Sequence, residues 1–287
     1  MSCDSVSGVY GDSPIHRVSV IFSSCLTVFG CIFSKISISS GNGGAILVND
    51  LSKTYYSSEC SFSYCSAING QGGATYLCCQ SMRVLRCCAM NCFALSYHYS
   101  IHSAINGYEQ SFNFSSYYRC PPETITSHTI VIHGGCQTIS FINSSHNYVV
   151  GHSSGIQINE PAPVVSTFNT ICNCSAENVI VLNAGTGTNL LSYYNIVNNK
   201  PTKKLFYCYL TYTISHSILI LNTNIDIHYP STGVLYMNDC SSSQFSTLIP
   251  INHEYIYGCE TGKKGTNPKK LTFPILVFLS HYCLNCY

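Results

Sequence analysis

The residues of this chain that could do chemistry are few and scattered. "IDIH" sets Asp226 and His228 two apart. Alternate residues of a strand share a face, so the pair could serve as a base and the group that orients it. Asp239 follows 13 positions later and Glu254 another 15. No two carboxylates are paired to flank a glycosidic bond, and no acidic cluster suited to Ca²⁺ sits beside a basic residue. In "HYSIH", His98 and His102 are four apart, a spacing that shares a face only on a helix, and no second pair of ligands completes a zinc site. "CLNC" gives Cys283 and Cys286 the spacing of a redox or zinc pair, without a strand-to-helix context or a second pair nearby. The glycine stretches "GNGGAIL" and "GQGGATY" lack the Lys and Ser or Thr of a P-loop and the G-x-G-x-x-G spacing of a dinucleotide fingerprint. The residues therefore point to no catalytic group, no cofactor and no metal.

What surrounds these groups is a framework poor in charge. Of 287 residues, 46% are hydrophobic, enough for a core, and only 9% are charged, against roughly 25% in an average soluble domain. Ser, Thr, Asn and 22 tyrosines cover the surface instead, which suits strands better than helices. The net charge is +1, and the basic excess sits in Lys263, Lys264, Lys269 and Lys270. The remainder is mildly acidic, without the basic face of a nucleic-acid binder, so no nucleic acid is expected as a partner.

Repetition organises the chain. Gly41, Gly43, Gly44 and Ala45 recur as Gly70, Gly72, Gly73 and Ala74 at a constant offset of 29, and the same offset carries Cys31, Phe33, Ser34 and Ser37 onto Cys60, Phe62, Ser63 and Ser66. Between polar turns lie short β-branched or aromatic runs such as "AILVN", "TIVIHG", "TISFIN" and "NVIVLN", which read as strands. Such a period signals a solenoid, in which stacked coils bury one continuous apolar column. The spacing predicts Cys31, Cys60 and Cys88, with Phe33 and Phe62, as a stacked core. The six glycines are expected at corners, supplying positive φ or close backbone approach, with Ala45 over Ala74. Asn113, Asn143 and Asn173, evenly spaced, read as a second ladder. For the nineteen cysteines two readings stand, small hydrophobes packed in columns or structural disulfides, and an odd count leaves at least one thiol unpaired.

"GGAI" at Gly43–Ile46, its copy "GGAT" at Gly72–Thr75, and "FSKI", "FSYC" and "FINS" as loose F-x-x-N elements resemble the repeats of the polymorphic membrane proteins, surface proteins of chlamydiae. The resemblance covers residues 25 to 95 best and implies an all-β, right-handed parallel β-helix, with irregular coils of about 22–30 residues, displayed at a cell surface. The organisation that follows is an N-terminal segment or cap over 1–14, a β-helix over 15–258, and a basic linker with a short apolar tail over 259–287. "LTFPILVFLSHYCL" is shorter than the roughly 20 residues that span a bilayer, yet with its basic flank it could associate with a membrane surface. Asn113, Asn143 and Asn173 each begin a glycosylation sequon. The function expected is non-enzymatic adhesion to a cell-surface protein or glycan. The alternative is a polysaccharide lyase or glycoside hydrolase acting on acidic glycans.

Overall fold

The structure, a computed structural model, describes residues 3–11, 18–19, 24–94, 108–120, 128–151, 153–159, 163–183, 185, 189–223, 226–230, 235–242, 256–257 and 260–261. Among these residues there is no helix. The strands stack in parallel into a three-sided β-solenoid, as the repeats imply. The first face is a 12-stranded sheet running from Asp4–Val6 to Ile256–Tyr257, and the second an 11-stranded sheet running from Val9–Gly11 to Glu260–Thr261.

The third face changes along the rod. In the N-terminal coils the long strands Ile46–Ser58 and Thr75–Leu85 cover it and then bend into the first face, with a register break between Cys79 and Ser81. From Val131 onward it is a separate 5-stranded sheet, Val131–His133, Ser153–Asn159, Ser175–Leu182, Lys200–Cys208 and Asp226–Pro230. Both ends of the solenoid lie outside the 15–258 span expected from sequence. Asp4–Val6 and Val9–Gly11 already pair with Cys25–Phe29 and Ile32–Ser34, and Glu260–Thr261 pairs with Ser241–Ser242. The apolar stretch Leu271–Leu284 lies outside the described residues.

A small recurring device turns the chain from face to face. After nine of the first-face strands one residue adopts the left-handed conformation: Gly30, Glu59, Arg86, Phe114, Phe141, Phe168, Tyr193, His216 and Asp239. After each second-face strand Lys35, Tyr64, Asn91, Arg119, His146, Asn173, Asn198 and Leu221 do the same, so that φ at both corners lies between 49° and 60°. The residue after each corner points inward, and the two inward positions of a coil are five apart every time, as in Cys31 and Ile36 or Ser217 and Asn222. Sixteen of the corners just named carry other residues and Gly30 is the exception, so the repeated glycines do not belong to these two corners but to the turn that precedes Ile46 and Thr75.

The left-handed conformation costs a non-glycine residue about 1–2 kcal/mol. Stacking offsets part of it. Phe114, Phe141, Phe168, Tyr193 and His216 form an external ladder with ring centroids 4.5–5.1 Å apart, each stacked pair contributing about 0.5–1.5 kcal/mol. Arg86 and Glu59 pair at 3.3 Å on the same corner.

At that third turn the repeated glycines serve the two purposes expected of them. Gly41, Gly43 and Gly72 take positive φ. Gly44, Gly70 and Gly73 instead permit contact between coils: a Cβ on Gly44 would stand 1.9 Å from the Gly73 carbonyl oxygen, one on Gly70 1.7 Å from that of Gly41, and one on Gly73 2.4 Å from the Phe93 backbone. Gly44 N donates to Gly72 O at 2.8 Å, and Ala45 N to Ala74 O at 2.9 Å, so Ala45 and Ala74 lie at adjacent levels, both buried.

The inward positions form two columns. At the first corner these are Cys31, Cys60, Cys87, Ser115, Ile142, Asn169, Tyr194, Ser217 and Cys240, and at the second Ile36, Cys65, Cys92, Cys120, Asn147, Cys174, Asn199 and Asn222, all buried. Phe33 and Phe62 stack between them at 5.0 Å. Cys88 is not in the column. The corners Glu59 and Arg86 are 27 apart, so the residue that falls above Cys60 is Cys87, while Cys88 is half-buried on the second face between Ser61 and Ser116.

The Asn113, Asn143 and Asn173 ladder does not exist either. In this stretch of the rod a coil advances by 27, as from Cys120 to Asn147 or Ile142 to Asn169, so the asparagine spacing overshoots by three positions per turn. Asn113 ends a first-face strand beside Ser140, Asn143 begins a second-face strand beside Ser116 and Thr170, and Asn173 is an exposed corner residue.

The polar members of the columns satisfy a need created by the corner. The N–H that follows a left-handed residue faces the interior, where an unpaired donor costs about 1–3 kcal/mol. It is accepted by the side chain one coil on: Cys87 N by Ser115 Oγ at 3.2 Å, Cys120 N by Asn147 Oδ1 at 2.8 Å, Ile142 N by Asn169 Oδ1 at 2.8 Å, Cys174 N by Asn199 Oδ1 at 2.9 Å, and Cys92 N by Cys120 Sγ at 3.2 Å. Column side chains also donate back to carbonyls of the preceding coil, Asn199 Nδ2 to Ile171 O at 2.9 Å and Cys60 Sγ to Val28 O at 3.5 Å. Interior asparagines are therefore coil-to-coil hydrogen-bond bridges.

Candidate functional site

The separate third-face sheet carries a groove. Apolar residues alternate inward: Ile156, Ile180 and Phe206 align in register, as do Ile158, Leu182 and Cys208, and all six are buried. The alternate row, Gln157, Val181 and Tyr207, therefore faces outward. Register breaks between Ser153 and Ile156 and between Ala176 and Asn178 re-aim the side chains on their N-terminal side. Gly155 fits the first because a Cβ there would stand 2.7 Å from Val179 O.

The result is a cleft of about 720 Å³ with amides on its walls and tyrosines and a charged pair at its rim. Asn159 Oδ1 organises the amides. It accepts Gln157 Nε2 at 2.6 Å and also Asn183 Nδ2, which commits both N–H groups and turns the two carbonyl oxygens elsewhere. Gln157 Oε1, Asn183 Oδ1 and Asn178 Oδ1 are buried with no donor among the described residues, and Gln157 and Asn178 are only 5% and 8% exposed. The three partnerless acceptors belong to residues that line one cleft, and each oxygen is itself almost wholly covered, so a donor in the cleft reaches it when the amide turns outward.

At the rim Lys203 Nζ meets Glu177 Oε1 at 2.9 Å, so their charges largely offset one another. His128 Nδ1 lies 2.9 Å from Ser153 Oγ. The Tyr207 and Tyr209 rings meet edge to face at 4.8 Å, and the Tyr209 hydroxyl is held above its ordinary pKa first by its hydrogen bond to Tyr207 and then by burial. Glu177 is the sole carboxylate among the described lining residues, so they do not supply the two carboxylates of glycoside hydrolysis.

The residues singled out in the sequence are not gathered here. Asp226 lies in register with Lys204, one of the lining residues, and His228 in register with Phe206. Asp239 is at a first-face corner, paired with His216 at 3.6 Å, on another side of the coil. Glu254, His98, His102, Cys283 and Cys286 lie outside the described residues, where none of them is placed. Among described residues no group of three or more metal-ligating side chains comes together. Of the sequon asparagines, Asn173 is exposed, hydrogen-bonded to Asn198 and His146, while Asn113 and Asn143 are half-buried.

The cleft residues left little trace in the sequence. Asn178 and Asn183 bracket the apolar run "VIVL" and Gln157 interrupts "GIQIN", but in so Asn-rich a chain these look like any strand ends. Only the coil register brings Asn159 between Gln157 and Asn183. Compared with known proteins, the chain matches no family model, no curated protein and no solved structure.

Proposed function

We propose that this solenoid is a non-enzymatic, surface-displayed binding protein whose third-face cleft takes a neutral or weakly charged glycan. The observation that carries the reading is the set of three amide oxygens without a donor among the described residues, Gln157 Oε1, Asn178 Oδ1 and Asn183 Oδ1, in one cleft beside two tyrosines. A ligand rich in hydroxyl donors recovers the cost of about 1–3 kcal/mol that each unpaired acceptor carries, and the tyrosines offer contact area at low entropic cost. The likeness of the "GGAI" and "GGAT" repeats to the polymorphic membrane proteins supports surface display and an adhesive role.

The test is a glycan array followed by calorimetric titration of the best neutral oligosaccharide. Weak binding that persists at high salt is expected, together with at least tenfold loss in Asn178→Leu with Asn183→Leu and no release of reducing ends. Binding unchanged in that folded double variant, or no glycan bound at all, removes the cleft reading. Labelling of intact cells with a membrane-impermeant reagent tests display independently.

A further inference from the structure

The two interior columns each hold three consecutive cysteines, Cys31, Cys60 and Cys87 at the first corner and Cys65, Cys92 and Cys120 at the second, all free thiols and all buried. Consecutive members are register neighbours on adjacent coils. Ser61 N donates to Cys31 O at 2.8 Å, Cys88 N to Cys60 O at 2.9 Å, and Phe93 N to Cys65 O at 3.0 Å. Adjacent parallel strands lie about 4.8 Å apart, inside the Cα separation of about 4.4–6.8 Å that a disulfide requires.

The molecule already contains one bridge of this kind. Asp4 pairs with Leu26, which makes Cys3 and Cys25 register neighbours, and they are joined with a Cα–Cα distance of 4.7 Å. We propose that the two thiol columns are sites of coil-to-coil disulfide formation, one bridge in each column, with Cys60 and Cys92 as the shared middle members.

The chemistry balances as thiol–disulfide exchange with a small-molecule disulfide. The Cys60 thiolate attacks one sulfur of the reagent and releases one small thiolate. The Cys31 or Cys87 thiolate then attacks the Cys60 sulfur of the mixed disulfide, forming the protein bridge and releasing the second. The two protons given up by the cysteines end on the two small thiols. Cys92 reacts in the same way with Cys65 or Cys120. A middle cysteine can serve only one neighbour, so each column keeps one thiol, and internal exchange can move the bridge up or down by one coil.

The second column also supplies its own control. Cys174 sits in it between Asn147 on one coil and Asn199 on the next, so the side chains stacked on it carry no sulfur. Serine is accommodated at these corners, since Ser115 and Ser217 accept the N–H of the preceding coil.

The test uses the full chain, reduced and then refolded in a mixture of reduced and oxidised glutathione, alkylated under denaturing conditions, digested without reduction and mapped by mass spectrometry. Peptides joining Cys60 to Cys31 or Cys87, and Cys92 to Cys65 or Cys120, are expected, with Cys174 alkylated in full. In Cys60→Ser with Cys92→Ser the other four column cysteines are alkylated, the protein stays folded by circular dichroism, and its thermal midpoint rises on oxidation by less than that of the wild type, since only Cys3–Cys25 still forms. Full alkylation of all six column cysteines in oxidised wild type while Cys3–Cys25 forms, or bridges that join one column to the other, overturns the proposal.

Discussion

Replacing Asn199 by leucine isolates the energetic role of the interior asparagines. Asn199 is fully buried. Its Oδ1 accepts Cys174 N at 2.9 Å, and its Nδ2 donates to Ile171 O at 2.9 Å and to Asn222 Oδ1 at 3.0 Å. Leucine fills nearly the same volume but orphans the Cys174 N–H, at about 1–3 kcal/mol, and deletes two further bonds at about 0.5–1.5 kcal/mol each. Its own burial returns about 1.5–3 kcal/mol, so the net loss centres on about 2 kcal/mol, within the usual range for a core substitution. Asn199→Ser keeps an acceptor, as Ser217 does for Tyr194 N at 3.0 Å, and should cost about 1 kcal/mol less than leucine.

The measurement is urea unfolding in reductant by circular dichroism, with amide hydrogen exchange at Cys174 read in parallel. Exchange at that amide should accelerate in Asn199→Leu more than in Asn199→Ser. If leucine proves no more costly than serine, or leaves Cys174 exchange unchanged, the bridge does not stabilise the stack as argued.

Gly44→Ala forces a Cβ to within 1.9 Å of the Gly73 carbonyl oxygen, and loss of the soluble folded form, read by gel filtration, is expected, whereas Gly30→Ala meets only a strained φ of 60° with open space around it and should remain folded. Alkali should unfold the protein: burial raises the Cys79 and Cys174 thiols from the ordinary value of 9.0 to about 12, and burial likewise takes Tyr194 to about 12. The folded state thus holds protons that the unfolded state releases, so the stability these groups contribute is intact below about pH 9 and is lost as pH climbs toward 12; a denaturation midpoint flat across that window would contradict the burial seen. If the chain is expressed through a glycosylating secretory route, glycopeptide mapping should find Asn173 occupied and Asn113 and Asn143 bare, because only Asn173 stands exposed at a corner. Asn159→Leu frees the Gln157 and Asn183 amides to rotate and should weaken glycan binding severalfold without moving the thermal midpoint by more than a few degrees.

The solenoid was legible because "SGNGGAI" and "NGQGGAT" fall on two coils in perfect register, with Asn42 and Gln71 bonded across an offset of 29. Beyond Cys60 the coil shortens, to 27 between the Glu59 and Arg86 corners and to 23 between Tyr194 and Ser217, so a fixed period drifts out of phase. That drift puts Cys87 rather than Cys88 over Cys60, and gives three sequons the even spacing of a ladder without its register. The corners are illegible in the sequence for a different reason. Left-handed φ is ordinarily a glycine signature, yet here Phe, Tyr, His, Arg and Leu hold it because the stacked neighbours above and below fix the backbone. The cleft was illegible because its three acceptors come from separate strands and are defined by what they lack.

The constant five-position interval between inward residues divides the labour of each turn. The second face is locked in length between its two corners, the first-face strands keep register up to theirs, and gains or losses of residues fall in the rest of the turn. Insertions and deletions can therefore accumulate on one flank of the rod without disturbing the stacking of the other two, and that flank is where the cleft lies. Such a molecule can lengthen or trim one side of a few turns while its frame is kept, in the way that antibodies vary loops on a conserved frame.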